Sequence, residues 1–238
     1  GTKKDEHERM YFTDENAQKC DAIREKLEKW KIKELITEWE YFFLLASLLE
    51  AIDKVANTAS VYGAFLKKFK KSALKPLKLK PAFFCINDQD YKVYNSDIIE
   101  VAKTTSHDVV YLDPPYNERQ YSANYHVLET IAKYDSPIIR GKTWMRDYSE
   151  QKSQYCKKSE VKNSFAELVK HLDAKYIFLS YNDEWLMTLG EIKKIMSTRW
   201  EYGVFEKKYQ RFKADKSENR THKQDHVIEY LHYVKVVW

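Results

Sequence analysis

The chain has 238 residues, of which 43% are hydrophobic and 32% charged, a composition that permits a packed core and excludes wholesale disorder. Lysine and arginine outnumber aspartate and glutamate by 41 to 36, so the chain is only mildly basic, with a net charge of +5. The three cysteines form no C-x-x-C pair, and neither a signal peptide nor a membrane-spanning apolar run is evident; this pattern argues against a disulfide framework, a zinc site and a membrane anchor, and it predicts a cytoplasmic location.

The first third of the chain is predicted to be helical and rich in lysine. Apolar residues recur at helical spacing over residues 14–30 and 33–57, which predicts two helices. Residues 67–80 follow, where seven of the fourteen residues are lysine and none is acidic. Pro76 interrupts any regular element there. Residues 1–80 are therefore predicted to form a separate helical, Lys-rich lobe.

From residue 81 onward, apolar runs alternate with helical patterns. The predicted elements, in chain order, are a strand at 91–94, a helix at 98–104, a strand at 108–112, a helix at 127–133, a long loop at 135–160, a helix at 161–173, a strand at 176–180, a helix at 185–198, and strands at 201–209 and 227–237. Alternating strands and helices indicate an α/β sheet. The last two strands have no helix between them and indicate an antiparallel hairpin. Residues 81–238 are predicted to form the catalytic region.

A rigid polar turn, Asp113-Pro114-Pro115-Tyr116, directly follows the apolar strand at 108–112. One reaction that suits such a turn is the methylation of the exocyclic amine of adenine. This amine is a poor nucleophile because its lone pair is delocalised into the ring. Methylating it requires hydrogen-bond acceptors aimed at the amine protons, and Asp113 and the Pro114 carbonyl supply two. Tyr116 offers a flat face to a base swung out of the helix. The alternative is a turn that has only a structural role.

Residues 108–134, DVVYLDPPYNERQYSANYHVLETIAKY, resemble the catalytic segment of Dam-like N6-adenine-specific DNA methyltransferases. The likeness extends to residues 176–185 and 209–216, which resemble the next core strand and the late hairpin of that family. The resemblance implies a partial Rossmann-like methyltransferase sheet that ends in an antiparallel hairpin. It also implies that S-adenosylmethionine is the methyl donor and that an adenine of double-stranded DNA is the acceptor, within a restriction-modification system.

The resemblance also implies roles for individual residues. Asp113 and the turn that it begins act on the target amine and lie beside the cofactor, and Asp97 and Ile98 hold the cofactor's adenine. From the residues alone, an Asp at the position of Asp97 is equally well a helix cap. Asn124 and Tyr125 match a loop that closes over the flipped base, although Tyr125 is equally well a core side chain.

One motif of the family is absent from this sequence. The family binds S-adenosylmethionine through a loop near Phe-x-Gly-x-Gly, whereas the five glycines here are isolated from one another: Gly1, Gly63, Gly141, Gly190 and Gly203. We therefore expect this chain to be the carboxyl-terminal part of a longer protein, or to act with a second polypeptide that carries the loop. Alone, it is expected to bind S-adenosylmethionine weakly.

Basic side chains are the candidate contacts to DNA phosphates, although a run of charge is also typical of a solvated face. The predicted DNA-contacting residues are Lys67, Lys68, Lys70, Lys71, Lys75, Arg119, Asn124, Tyr125, Arg140 and Lys142. Residues 1–80 are the first candidate for sequence recognition, and residues 135–160 are the second. The histidines show no metal-ligand spacing, so no metal is expected.

Two other functions remain open from the sequence. A non-catalytic DNA-binding subunit of a split methyltransferase retains the fold and binds DNA without transferring a methyl group. A methyltransferase acting on RNA or on a protein amide uses similar chemistry, but its motif usually begins with Asn, and Asp113 favours DNA.

Overall fold

The computed structural model describes residues 9–86, 88–115, 117–182, 186–210 and 226–236. The helices, in chain order, are α1 (Asp14–Ile32), α2 (Glu38–Lys54), α3 (Ile98–Thr104), α4 (Tyr121–Asn124), α5 (His126–Lys133), α6 (Val161–His171) and α7 (Leu189–Met196). The strands are β1 (Ser106–Leu112), β2 (Asp173–Asn182), β3 (Glu201–Gln210) and β4 (His226–Lys235). No helix in the described ranges combines the length and the apolar character needed to cross a membrane.

The chain folds into two compact units. Gly1–Asp88 and Tyr121–Gln151 form one, here called the helical unit, and Gln89–Gln120 and Lys152–Trp238 form the other, here called the sheet unit. The sequence analysis places residues 121–151 with the catalytic region, but in the structure they pack with the amino-terminal helices. The DNA-recognition role assigned to the lobe of residues 1–80 remains a proposal.

Buried polar contacts explain why residues 121–151 join the helical unit. Arg24 on α1, which is 2% exposed, donates to the carbonyls of Ile131 (2.7 Å) and Ala132 (3.0 Å) at the end of α5. These carbonyls belong to the last turn of a helix, where no backbone donor follows. The hydroxyl of Tyr11 donates to the Thr143 carbonyl at 3.0 Å, and Val127 lies in the same buried cluster as Leu48 and Ile52.

The sheet unit contains a four-stranded mixed sheet in the order β1-β2-β4-β3. β1 and β2 run parallel, whereas β4 is antiparallel to both β2 and β3. The last strand therefore lies inside the sheet, between β2 and β3. The predicted α/β fold with an antiparallel carboxyl-terminal hairpin is confirmed.

The two faces of this sheet differ in burial. Leu112, Ile177 and Leu179 lie on one face, where they are buried in a single cluster with residues of α3, α6 and α7. On the opposite face, Tyr111 and Phe205 are each 61% exposed. The alternation follows from the two-residue period of a strand, and it shows that the three helices cover one face.

Three predicted boundaries or elements were wrong. Residues 91–94 form no strand, because no described strand pairs with them and their backbone groups therefore lack a ladder of hydrogen bonds. They are exposed, and Val93 retains 92% of its accessible surface. The helices predicted from residues 33 and 185 begin later, at Glu38 and Leu189, because Thr37 and Thr188 each form a capping box with the glutamate three residues on.

Candidate active site

A cavity of about 260 Å³ lies in the sheet unit at the carboxyl end of β1. It is lined by Asp113, Pro114 and Pro115 of the turn, together with Ile98 on α3 and Tyr155, Phe165 and Leu168. In open α/β sheets this edge is where ligands bind, because the strand ends leave a crevice there. The structure therefore brings the predicted catalytic turn and two of the three predicted cofactor residues, Ile98 and Asp113, to the same cavity, whereas Asp97 is not part of its lining.

Asp113 is exposed at the mouth of this turn. Among the described residues its carboxylate forms no ion pair, in contrast to Asp108 on β1, which pairs with Lys175 at 2.7 Å. A carboxylate without a protein partner is available to accept hydrogen bonds from a ligand. Tyr116 lies outside the described residues.

Asp97 caps the amino terminus of α3. Its Oδ1 accepts a hydrogen bond from the Ile99 amide at 2.9 Å, as the helix-cap alternative anticipates. Burial raises the pKa of Tyr155, which lines the cavity, and the negative charge of Asp97 raises it further. The Tyr155 hydroxyl therefore stays protonated at neutral pH, and it donates to the Ser164 carbonyl at 3.3 Å.

The walls of the cavity suit a flat, weakly polar ring. Phe165 is fully buried, Tyr155 is partly buried, and Ile98 adds an aliphatic side chain. These residues fit the adenine part of S-adenosylmethionine. The sequence analysis missed Tyr155 and Phe165: Tyr155 lies in the predicted long loop with no local signal, and Phe165 is one of several apolar residues on the buried face of α6.

The segment after the turn is fastened to the loop that precedes α6. The Gln120 side chain forms two hydrogen bonds with the Ser153 backbone, donating to its carbonyl at 3.0 Å and accepting from its amide at 2.8 Å. The Cys156 thiol contacts the Arg119 carbonyl at 3.5 Å. The backbone of Arg119 is fixed by this contact, whereas the residue is exposed to solvent, so its guanidinium can reach a ligand.

The remaining predicted DNA contacts lie in the helical unit. Lys67, Lys68, Lys71 and Lys75 are exposed. Lys70 differs, because its ammonium donates to the Thr58 carbonyl at 2.7 Å and thereby takes part in packing.

Residues 121–151 present two exposed features. Tyr125 is 38% exposed, and its ring stacks on that of Tyr121 with the ring centroids 6.0 Å apart. Arg140 and Lys142 lie exposed at a tight turn closed by backbone hydrogen bonds between Arg140 and Met145. Asn124 accepts at its carbonyl from the Tyr62 amide at 2.6 Å, so its position is fixed through the backbone.

No cluster of three or more potential metal-ligating side chains occurs in the described part of the chain. The buried His232 contacts an aromatic hydroxyl and is not part of such a cluster. Its Nδ1 and the Tyr202 hydroxyl share a hydrogen bond of 2.8 Å, and burial lowers its pKa to about 4.

Comparisons with known proteins agree on one family. The family model of D12 class N6 adenine-specific DNA methyltransferases matches residues 2–195. The Type II methyltransferase M.NlaIII of Neisseria lactamica is 53% identical over 228 residues, which are 96% of this chain and 68% of that protein. The Type II methyltransferase M.CviAII of Paramecium bursaria Chlorella virus 1 is 40% identical over 96% of this chain and 67% of its own length.

A longer relative is matched over a smaller share of its length. The Type II methyltransferase M.FokI of Planomicrobium okeanokoites is 42% identical over 96% of this chain, but the match spans only 35% of that protein. No solved structure matches the chain.

Proposed function

Because the chain belongs to the D12 class of N6 adenine-specific DNA methyltransferases, we propose that it methylates the N6 amine of a specific adenine in double-stranded DNA. The observation that carries this proposal is the joint placement of Ile98 with Asp113, Pro114 and Pro115 around one cavity at the end of β1. The names of the relatives support a role as the modification enzyme of a restriction-modification system. A cytoplasmic location is part of this proposal.

The chain's own contribution to the reaction is to bind and polarise the target amine. The Asp113 carboxylate accepts one N–H of the adenine amine, and the Pro114 carbonyl accepts the other. This pair of acceptors draws the nitrogen towards tetrahedral geometry and stabilises the positive charge that develops on it. Tyr116 is proposed to stack on the flipped base. When bound, S-adenosylmethionine supplies the methyl group.

We propose that Ile98, Tyr155 and Phe165 hold the adenine of S-adenosylmethionine, together with Asp97 at the start of α3. A glycine-rich segment for the rest of the cofactor is expected from outside these residues, either within a longer chain or from a second polypeptide. Two observations support this: the glycines of this sequence are isolated from one another, and β1 pairs only with β2 among the described strands. Its outer edge can therefore accept a further strand.

The acceptor class is tested by supplying the longest natural polypeptide that contains these residues with S-adenosylmethionine labelled in the methyl group and, separately, duplex DNA, RNA and a protein extract. The proposal predicts label in DNA alone, recovered as N6-methyladenine after digestion to nucleosides. Label in RNA or protein contradicts the proposed acceptor. DNA binding with no label in any acceptor favours the non-catalytic subunit.

A further inference from the structure

A concave groove of about 550 Å³ lies in the helical unit, between the end of α2 and the segment that carries the lysine run. Its floor includes the small apolar side chains Ala51 and Val55, both at most 5% exposed. Its walls carry four lysines: Lys54, Lys75, Lys78 and Lys80. Lys75, Lys78 and Lys80 belong to the lysine run at residues 67–80, whereas Lys54 was not predicted to contact DNA, because only the fold brings it beside the later lysines.

Buried hydrogen bonds hold the lysine-bearing backbone in place. Asn16 on α1 is 3% exposed, and its amide donates to the Lys75 carbonyl at 2.9 Å and accepts from the Leu77 amide at 2.8 Å. The Ser47 hydroxyl accepts from the Ala82 amide at 2.9 Å, beyond the last lysine. The segment lacks regular secondary structure but is fixed at both ends, so its ammonium groups are presented from an ordered backbone.

Positive charge dominates this groove. Lys75, Lys78 and Lys80 are exposed and form no ion pair within the described residues. Lys54 pairs with Glu50 at 3.5 Å, through side chains that are 69% and 49% exposed. Such an exposed pair contributes little energy and exchanges readily for another anion. A concave surface lined by one sign of charge concentrates its field and attracts a polyanion.

We propose that this groove binds the phosphate backbone of duplex DNA, and this assignment rests on the proposed function, which makes DNA the substrate. The four ammonium groups neutralise phosphates of the duplex backbone. Contacts of this kind fix the register of the protein on the duplex and carry no sequence information. Lys70, another predicted DNA contact, also donates to the Thr58 carbonyl.

The test compares two variants with equal changes in charge. The first replaces three groove lysines by glutamine (Lys75→Gln, Lys78→Gln and Lys80→Gln), and the control replaces three exposed lysines of the sheet unit (Lys158→Gln, Lys193→Gln and Lys194→Gln). Binding to a fluorescent 30-base-pair duplex is measured by anisotropy from 50 to 200 mM KCl. Thermal unfolding verifies that each variant is folded, and Lys78→Gln alone serves if the triple variant is not.

Each lost phosphate contact reduces the slope of log affinity against log salt by about 0.9. The groove variant is therefore expected to lose about 2.7 from the magnitude of this slope and to bind on the order of 10²-fold more weakly at 100 mM salt, whereas the control stays near the parent. Equal slopes for the two variants overturn the proposal, and so does a parent chain that fails to bind duplex DNA. The proposal is also overturned if the groove variant loses affinity for RNA but keeps its affinity for duplex DNA.

Methyl transfer is measured in parallel so that the two proposals fail separately. If the salt slope falls but the longest natural polypeptide that contains these residues transfers no label to DNA, the groove is a DNA site and the proposed enzymatic function is wrong. If label is transferred but the slopes of both variants match the parent, the function stands and the groove assignment is wrong.

Discussion

Two aspartates of the sheet unit differ in what their carboxylates already bind. Asp97 has one oxygen engaged by the Ile99 amide as a helix cap, whereas the Asp113 carboxylate has no ion pair within the described residues. A capping carboxylate is a positioning group, because its hydrogen bond fixes where α3, and hence Ile98, begins. A carboxylate left to the solvent at a strand end is suited to meet a ligand.

His232 gives the stability of the sheet unit a specific pH dependence. Burial lowers its folded-state pKa to about 4 from an ordinary value of 6.5, so between these values the unfolded chain binds a proton that the folded chain does not. Above pH 6.5 His232 is neutral in both the folded and the unfolded chain, so its burial then causes no pH-dependent loss of folding stability. As pH falls from 6.5 to 4, stability is expected to drop by up to about 3 kcal/mol.

Urea unfolding at pH 7.5 and pH 5 checks this expectation. His232→Gln, whose amide oxygen can still accept from Tyr202, is expected to lose less stability than the parent between the two pH values. The exposed His107→Gln variant serves as the control and should follow the parent. A parent whose midpoint is unchanged between pH 7.5 and pH 5 contradicts the assignment of His232 as a buried neutral group.

At the scale of elements, the tight turn at residues 140–145 depends on contacts from distant parts of the chain. Its Thr143 carbonyl lies 2.5 Å from Nε2 of His126 and accepts from the Tyr11 hydroxyl at 3.0 Å. His126 itself is fully buried. The exposed Arg140 and Lys142, both predicted DNA contacts, therefore lie on a turn that is held by buried side chains.

Replacing that anchor should release the turn. His126→Phe keeps a ring of similar shape but removes the contact between Nε2 and the Thr143 carbonyl, a loss of about 1 kcal/mol, so tryptic cleavage after Arg140 and Lys142 should accelerate by about fivefold. Mass spectrometry of the fragments at early times measures the rate. His107→Phe, at an exposed position, is the matched control, and equal cleavage of the two variants would show that His126 does not hold the turn.

Local signals in the sequence predict most elements of the sheet unit. The apolar run before Asp113 and the recurring apolar positions of α6 are readable because strand and helix each impose a fixed period. The Thr-x-x-Glu boxes at Thr37 and Thr188 were equally readable, and they mark the true starts of α2 and α7. The alternating pattern at residues 91–94 misleads because a strand also requires a partner.

Other features depend on contacts that no local pattern encodes. Arg24 and the Ile131 carbonyl are 107 residues apart, yet their hydrogen bond helps to place residues 121–151 with the amino-terminal helices. Tyr155 reaches the candidate site because the loop before α6 is tied to Gln120. The groove lysines likewise come together through the buried Asn16.

At the scale of the whole molecule, the two compact units carry different proposed tasks. The sheet unit contains the candidate cavity and the Asp113 turn, and the helical unit carries the lysine groove and the exposed turn at residues 140–145. The proposals separate chemistry from DNA affinity, so a substitution in one unit should change one property and spare the other. This separation distinguishes an enzyme from a DNA-binding subunit that has merely kept the fold.

The most direct measurement compares Asp113→Ala with Asp108→Ala in the longest natural polypeptide that contains these residues, using labelled methyl transfer to duplex DNA and anisotropy on the same duplex. Asp108 lies on the same strand in an exposed ion pair and is the matched control. Removing the acceptor of the target amine should lower the rate of transfer by at least about 10³-fold, with DNA affinity within about twofold of the parent. Transfer by Asp113→Ala at the parental rate would contradict the account.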